Sequence, residues 1–355
     1  MPSAPAMPRT VDDLTAPWFA RVLDQEVTAV DLLERSSGTT GRVRVALRGE
    51  PGVPASVFVK LPPFDERQRA LVDRTGMGVA EAHFYRDLAS EVPVRAPGVW
   101  FAGTDGADYV MVLEDLVAGG CRFPSPDDPD IATRARDIVE QLATLHAAYW
   151  ESARFGPGGD LAWLTERGTR GGGGGRSFIH NAVATVGSQL DGELGDEFRR
   201  IATCYLEHAA AIVALQRDGE STLVHGDAHM GNLFVDPASD HTGFLDWAVV
   251  CRAPGIRDVA YVLCNSVPVD VREAIERNLV EHYCAVLDGA GVHLAVDEAW
   301  DQYRLHALYS WVSAAATAGM GSKWQPLHIG LRATARTTAA CAHLDTVRLV
   351  EMRLA

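Results

Sequence analysis

The sequence predicts an α+β chain of two lobes: a smaller one built on an antiparallel sheet with one helix, then a larger, mostly helical one. Three observations predict this. Val43, Val45 and Leu47 alternate with Arg42, Arg44 and Arg48, the period of a half-buried strand. Other short apolar runs follow, bounded by Pro and Gly. Beyond residue 130 the pattern changes to long stretches of helical periodicity, at 131–150 and 197–215. The 355 residues suit two lobes at about 150 residues per domain, and a chain of that length buries a core without staples.

Residues 1–17 are rich in Pro and Ala and read as a loose lead without the apolar core of a signal peptide, followed by a short helix near 18–23. Strand signals run from Thr28 to about Val59. The turn Ser36-Ser37-Gly38-Thr39-Thr40-Gly41 lies between the first two strands, and Pro62-Pro63 ends the third at 57–61. A helix over 78–90 carries Glu81, Phe84, Tyr85 and Leu88 on one face. Two more strands, 98–102 and 109–113, complete the first lobe, 1–116, which ends at Glu114-Asp115-Leu116. The second lobe, 117–355, is helical with short strands at 222–224 and 233–235 and closing helices at 299–317 and 328–350. The five-glycine run 171–175 reads as a surface loop or a lid over substrate. No run of 18 apolar residues exists, so no membrane-spanning helix is expected.

Lys plus Arg is 32 and Asp plus Glu is 47, a net charge of -15. That argues against a nucleic-acid partner, which needs clustered positive charge, and suits a cationic small molecule, although acidity is common among soluble proteins. Two of the basic residues are lysines, Lys60 and Lys323, so a Lys within a strand stands out for its own chemistry. Six scattered cysteines form no C-x-x-C pair, which gives no support to a zinc site and fits a reducing cytoplasm.

The densest signal is His225-Gly226-Asp227-Ala228-His229-Met230-Gly231-Asn232, in which Asn232 follows Asp227 by five residues. Asp246 comes fourteen further on, in Phe244-Leu245-Asp246-Trp247. Phosphoryl transfer from a nucleoside triphosphate needs one Asp to orient or deprotonate an acceptor hydroxyl, and an Asn and a second Asp to hold Mg²⁺. Mg²⁺ takes oxygen ligands and keeps several waters, so few protein groups suffice. Lys60 on the third strand and Glu81 on the next helix supply a phosphate-binding cation and a carboxylate to hold it. A solvated strand Lys and an exposed helix Glu are the plainer alternatives. The two histidines stay open: His225 fixes the loop or moves a proton, and His229 faces the acceptor or packs the loop.

These motifs, from about Ser36 to Leu263, resemble the aminoglycoside phosphotransferase and choline-kinase-like superfamily, whose fold is bilobal and protein-kinase-like. The resemblance implies Asp227 as the catalytic Asp, Asn232 and Asp246 as metal ligands, and Lys60 with Glu81 as the phosphate-binding pair. It implies Ser37, Gly38, Thr39, Thr40 and Gly41 as a phosphate loop, which lacks the three-glycine pattern. Glu114, Asp115 and Leu116 become a hinge beside the base, and Asp258 a brace for the catalytic loop, 225–232. ATP and Mg²⁺ are the implied cofactors; GTP stays open, because backbone groups would read the base.

Asp258 follows Asp246 by only twelve positions, which leaves no room for a protein-kinase activation loop. The expected acceptor is therefore a small-molecule hydroxyl, with no obligate protein partner. Trp300, Tyr303, His306, Trp311 and Trp324 are candidates to line its site, although aromatics at helical spacing are commonly core. The Arg- and Ala-rich composition resembles that of high-GC actinobacteria, where antibiotic-modifying kinases are common. The expected acceptor is accordingly a sugar-containing antibiotic of aminoglycoside or nucleoside type. A metabolic kinase for a sugar, amino alcohol or hydroxylated lipid, and a silent nucleotide-binding protein, are the alternatives.

Overall fold

A computed structural model describes residues 7–164, 180–186, 191–319 and 327–355. The chain divides into two compact units, Met1–Arg122 with Phe234–Val249, and Phe123–Leu233 with Val250–Ala355.

The first unit is built on five antiparallel strands: β1 (Val27–Ser37), β2 (Gly41–Gly49), β3 (Ser56–Leu61), β4 (Val99–Asp105) and β5 (Asp108–Glu114), in the order β1-β2-β3-β5-β4. Successive strand residues point to opposite faces, so Val43, Val45 and Leu47 of β2 share a face with Val57, Val59 and Leu61 of β3. That face packs on Trp18 and Phe19 of helix α1 (Ala16–Leu23). Thr15 caps α1 by accepting from the Trp18 N–H. The opposite face carries Arg42 and Lys60, which are direct partners in the β2–β3 register. A short polar helix, α2 (Glu66–Asp73), is capped by Asp65; its lack of an apolar stripe hid it from the periodicity reading. Helix α3 (Met77–Asp87) buries Glu81, Phe84 and Tyr85. Gly78 lets α3 lie against the Tyr109 ring, where a Cβ would come within 2.0 Å of ring carbon. The segment 234–249 returns to this unit, and the Trp247 ring stacks on Phe84 at 3.9 Å and 10°.

The second unit is helical: α4 (Ile131–Ala148), a segment at 180–186, α5 (Asp191–Leu215), α6 (Ile256–Ser266), α7 (Val269–Gly289), α8 (Val296–Gly319), α9 (Leu327–His343) and α10 (Thr346–Leu354). The single closing helix expected over 328–350 is two helices, because Asp345 takes a left-handed conformation (φ 50°) between them. One short strand pair interrupts these helices, β6 (Thr222–Val224) with β9 (Cys251–Ala253); β7 (Leu233–Val235) and β8 (Thr242–Phe244), which pair with each other, lie almost wholly in the segment 234–249 of the first unit. Nearly every α6 side chain is buried, the charged Arg257 and Asp258 included. Among the described residues no helix is long and apolar enough to cross a membrane, and all six cysteines are unbridged.

Candidate active site

In the first unit the site starts from Lys60. Strand alternation turns its side chain away from the Val59 and Leu61 face and toward α3, where the ammonium donates to Glu81 Oε1 at 2.6 Å. It also donates to Asp246 Oδ1 at 3.0 Å. Arg42, its register partner, reaches Asp246 Oδ2 at 3.5 Å. Glu81 has no exposed surface, and its Oε2 has no hydrogen-bond partner among the described residues. Burial pushes its carboxyl up to about 7, against the opposing pull of Lys60. Asp246 is presented to Lys60 by a left-handed backbone (φ 65°), which Asp tolerates better than most residues. The turn is anchored by Trp247, whose indole N–H donates to the Phe244 carbonyl at 3.0 Å while its ring covers Phe84.

The turn at Ser37, Gly38, Thr39, Thr40 and Gly41 closes the β1–β2 hairpin, with Ser37 paired to Gly41. The Ser37 hydroxyl accepts from the Phe64 N–H at 3.2 Å, and the Gly38 N–H donates to the Thr40 carbonyl at 3.0 Å. Gly41 is required by packing, since a Cβ there would lie 2.6 Å from the Phe64 ring. Gly38 has open space around it. At the segment Glu114–Asp115–Leu116 the acidic side chains serve the fold. Asp115 is bound by Arg44 and Ser56, and Glu114 by Arg95 at 2.6 Å and the Gly98 N–H at 2.8 Å. Any recognition there falls to the backbone and the Leu116 side chain.

In the second unit Asp258 organises the loop 225–232. From α6 its carboxylate accepts the N–H groups of His225 at 2.7 Å and Gly226 at 2.9 Å. Burial pushes its carboxyl up, but the His146, His225 and Gly226 contacts outweigh burial and hold it below its usual value. Gly226 has φ 82°, a conformation suited to glycine, which explains Gly between His225 and Asp227. His225 is fully buried, and its Nδ1 accepts from the Asp227 N–H at 3.2 Å, so it holds the loop. His229 caps the turn Met230–Asn232 by accepting from the Gly231 N–H; its Nε2 stands 3.9 Å from Asp227 Oδ2. The Asn232 amide donates to the Asp227 carbonyl at 2.9 Å and approaches Oδ2 at 3.3 Å, which turns its oxygen the other way.

Four residues of this site escaped the sequence reading. The Tyr261 phenol donates to Asp227 Oδ1 at 2.6 Å and meets Ser313 Oγ at 2.9 Å. Tyr309 donates to the Gly226 carbonyl at 3.0 Å. His146, from α4, stands 3.5 Å from Asp258. All lie outside the motif, on helices distant in sequence; Tyr261, one turn beyond Asp258 on α6, offered the nearest signal.

The expected lining aromatics fare differently. Tyr303, His306 and Trp311 are core residues, buried by the packing of α8. The Tyr303 hydroxyl donates to Glu276 at 2.8 Å and the Trp311 indole to Thr338 at 3.0 Å. Burial, then Arg257, drives His306 well below its usual pKa. Those three therefore present no face to a ligand, which corrects the expectation for them. Trp300 is half-buried, stacked on Tyr303 at 5.3 Å with Arg277 over its ring. Trp324 and the run 171–175 lie outside the described residues.

Among the described residues no group of three His, Cys, Asp or Glu side chains forms a metal cage. Asn232 in the second unit and Asp246 in the first each carry hard oxygen atoms. That chemistry fits Mg²⁺, which needs few protein ligands, and not zinc.

The profile of the phosphotransferase enzyme family (APH) matches residues 31–306. The chain belongs to this family. No curated protein matches it in sequence. Among solved structures, a Ralstonia eutropha protein provisionally designated an aminoglycoside phosphotransferase superposes with a TM-score of 0.54 at 12% identity, over 93% of this chain and 97% of that one. Plasmodium vivax ethanolamine kinase gives 0.50 at 15% identity, over 88% and 81%. A type I macrolide 2′-phosphotransferase gives 0.50 at 15% identity, over 92% and 98%. At such identities the likeness is one of fold: this phosphotransferase has the protein-kinase-like α+β fold of the aminoglycoside phosphotransferase and choline-kinase-like superfamily.

Proposed function

We propose that this phosphotransferase is a cytoplasmic, Mg²⁺- and ATP-dependent kinase that phosphorylates a hydroxyl of a small molecule. One observation carries the reading. A buried Lys is held by a buried Glu and directed at Asp246, while a separate braced loop carries Asp227 and Asn232. Lys60 would meet the α/β-phosphates of the nucleotide, with Glu81 fixing its position. Asn232 and Asp246 would hold Mg²⁺, which neutralises phosphate charge when bound. Asp227 would orient the acceptor hydroxyl and take up its proton. Ser37–Gly41 would cover the phosphates, and the backbone at 114–116 would border the base.

For the acceptor we infer a sugar-containing antibiotic of aminoglycoside or nucleoside type. The net charge of -15 favours a cationic compound. The fold neighbours include kinases named for a macrolide and for ethanolamine, so the test spans those classes. The purified protein is incubated with Mg²⁺–ATP and a panel of aminoglycosides, nucleoside antibiotics, macrolides, choline and ethanolamine, and products are read by mass. A single added phosphoryl group on an antibiotic supports the reading. Phosphorylation of the amino alcohols alone moves the role to metabolism, and nucleotide binding without turnover on any compound contradicts it. In Asp227→Ala, turnover should vanish while nucleotide affinity persists.

A further inference from the structure

We propose that Tyr261 and Ser313 are positioning residues for phosphoryl transfer, acting through Asp227; the inference rests on Asp227 being the acceptor-side carboxylate. The two come from different helices, Tyr261 from α6 and Ser313 from α8, and they form one hydrogen-bonded chain ending on Asp227 Oδ1. An ionised carboxylate only accepts, so the phenol must donate to it. The phenol oxygen then accepts from Ser313. The polarity runs Ser313 to Tyr261 to Asp227, with every hydroxyl proton pointing toward the carboxylate.

The chain makes the two carboxylate oxygens unequal. Oδ1 is tied to the phenol at 2.6 Å, and Oδ2 faces the Asn232 amide at 3.3 Å. The terminal torsion of an Asp is broad when unconstrained, so contacts at both oxygens set the carboxylate plane and hence the direction of its remaining lone pairs. Tyr309 stands one turn before Ser313 on the same face of α8 and grips the Gly226 carbonyl. Helix α8 thus reaches the backbone beside Asp227 directly through Tyr309, and the Asp227 side chain through Ser313 by way of Tyr261. Tyr261 is buried, and a buried hydroxyl needs a partner in any protein, so the decisive question is whether its partner's chemistry depends on it.

The test is steady-state ADP release by the full-length protein with Mg²⁺–ATP and water as acceptor. It compares Tyr261→Phe, Ser313→Ala, Asp227→Asn and the Tyr261→Phe/Asp227→Asn double variant. Loss of a hydrogen bond to a charged group predicts that Tyr261→Phe lowers kcat about tenfold or more and leaves the KM for ATP within about twofold. In the Asp227→Asn background the same change should alter the residual rate less than about twofold, because no carboxylate remains to be aimed. Ser313→Ala should lower kcat by a smaller factor, about threefold, since it weakens the phenol's bond without removing it. Wild-type kcat in Tyr261→Phe, or the same factor lost in both backgrounds, overturns the inference. Should Tyr261→Phe fail to fold, wild-type kcat in Ser313→Ala overturns it. Equal ADP release by wild type and Asp227→Asn overturns the assignment of Asp227 instead.

Discussion

Asp258→Ala should cost this protein a large part of its stability. The carboxylate is fully buried and accepts two backbone N–H groups, from His225 at 2.7 Å and Gly226 at 2.9 Å. Removing it leaves both donors orphaned. Each buried unsatisfied donor costs about 1–3 kcal/mol, so the pair costs about 2–6 kcal/mol. Relief of the carboxylate's own desolvation returns part of this, and the expected net loss is about 3 kcal/mol, against total stabilities of about 5–15 kcal/mol. Urea unfolding followed by tryptophan fluorescence measures it. The pH dependence has a definite sign. The folded carboxyl sits below its usual 3.8, so its contribution is present above that value and is lost as pH falls through the folded pKa. The gap between wild type and variant should be constant from neutral pH down to about 5 and shrink in stronger acid. A gap under about 1 kcal/mol at neutral pH, or one that widens in acid, would refute the reasoning.

Three further outcomes follow from the first unit. Glu81 has the opposite sign: its folded pKa is raised from 4.5 to about 7, so its contribution is greatest below 4.5 and falls as pH rises to about 7. At about 1.4 kcal/mol per unit this is worth about 3 kcal/mol. Glu81→Gln should therefore gain stability on wild type between pH 5 and 8 in paired thermal melts, and a constant difference contradicts the assignment. Lys60→Ala should raise the KM for ATP about tenfold, as expected for losing a charge-assisted phosphate contact; unchanged kinetics would separate Lys60 from the nucleotide. In Gly78→Ala the new Cβ meets the Tyr109 ring at 2.0 Å, an overpacking that should cost about 1–3 kcal/mol in chemical denaturation. An unaltered midpoint would show that the ring moves aside.

Much of the first unit was legible because strands announce themselves by a period of two. Arg42 to Arg48 gave β2 and its buried valines, and the Pro pair at 62–63 ended β3 one residue beyond Leu61. The helix bearing Glu81 was legible from its apolar face. Helix α2 was not, because its residues are mostly polar and its only mark was the Asp65 cap. The closing helix looked continuous because Asp345 interrupts no apolar period; its left-handed φ is a backbone fact that periodicity does not carry.

The site divides the same way. Spacing within one segment marked Asp227, Asn232 and Asp246 as candidates. Residue type and its place on the third strand marked Lys60, one of two lysines in the chain. What decided the partners was packing. The pairing of Lys60 with Glu81 and Asp246, the grip of Asp258 on the His225 and Gly226 amides, and the chain from Ser313 through Tyr261 to Asp227 join residues 21 to 186 positions apart. The same packing buried Tyr303, His306 and Trp311, whose spacing on α8 is equally that of a core stripe and of a pocket wall. Sequence determined which chemical groups this protein owns and the local conformation that presents them. Tertiary structure alone decided which groups are desolvated together, because burial and hydrogen-bond geometry depend on elements distant in sequence that meet only when each unit packs its own core.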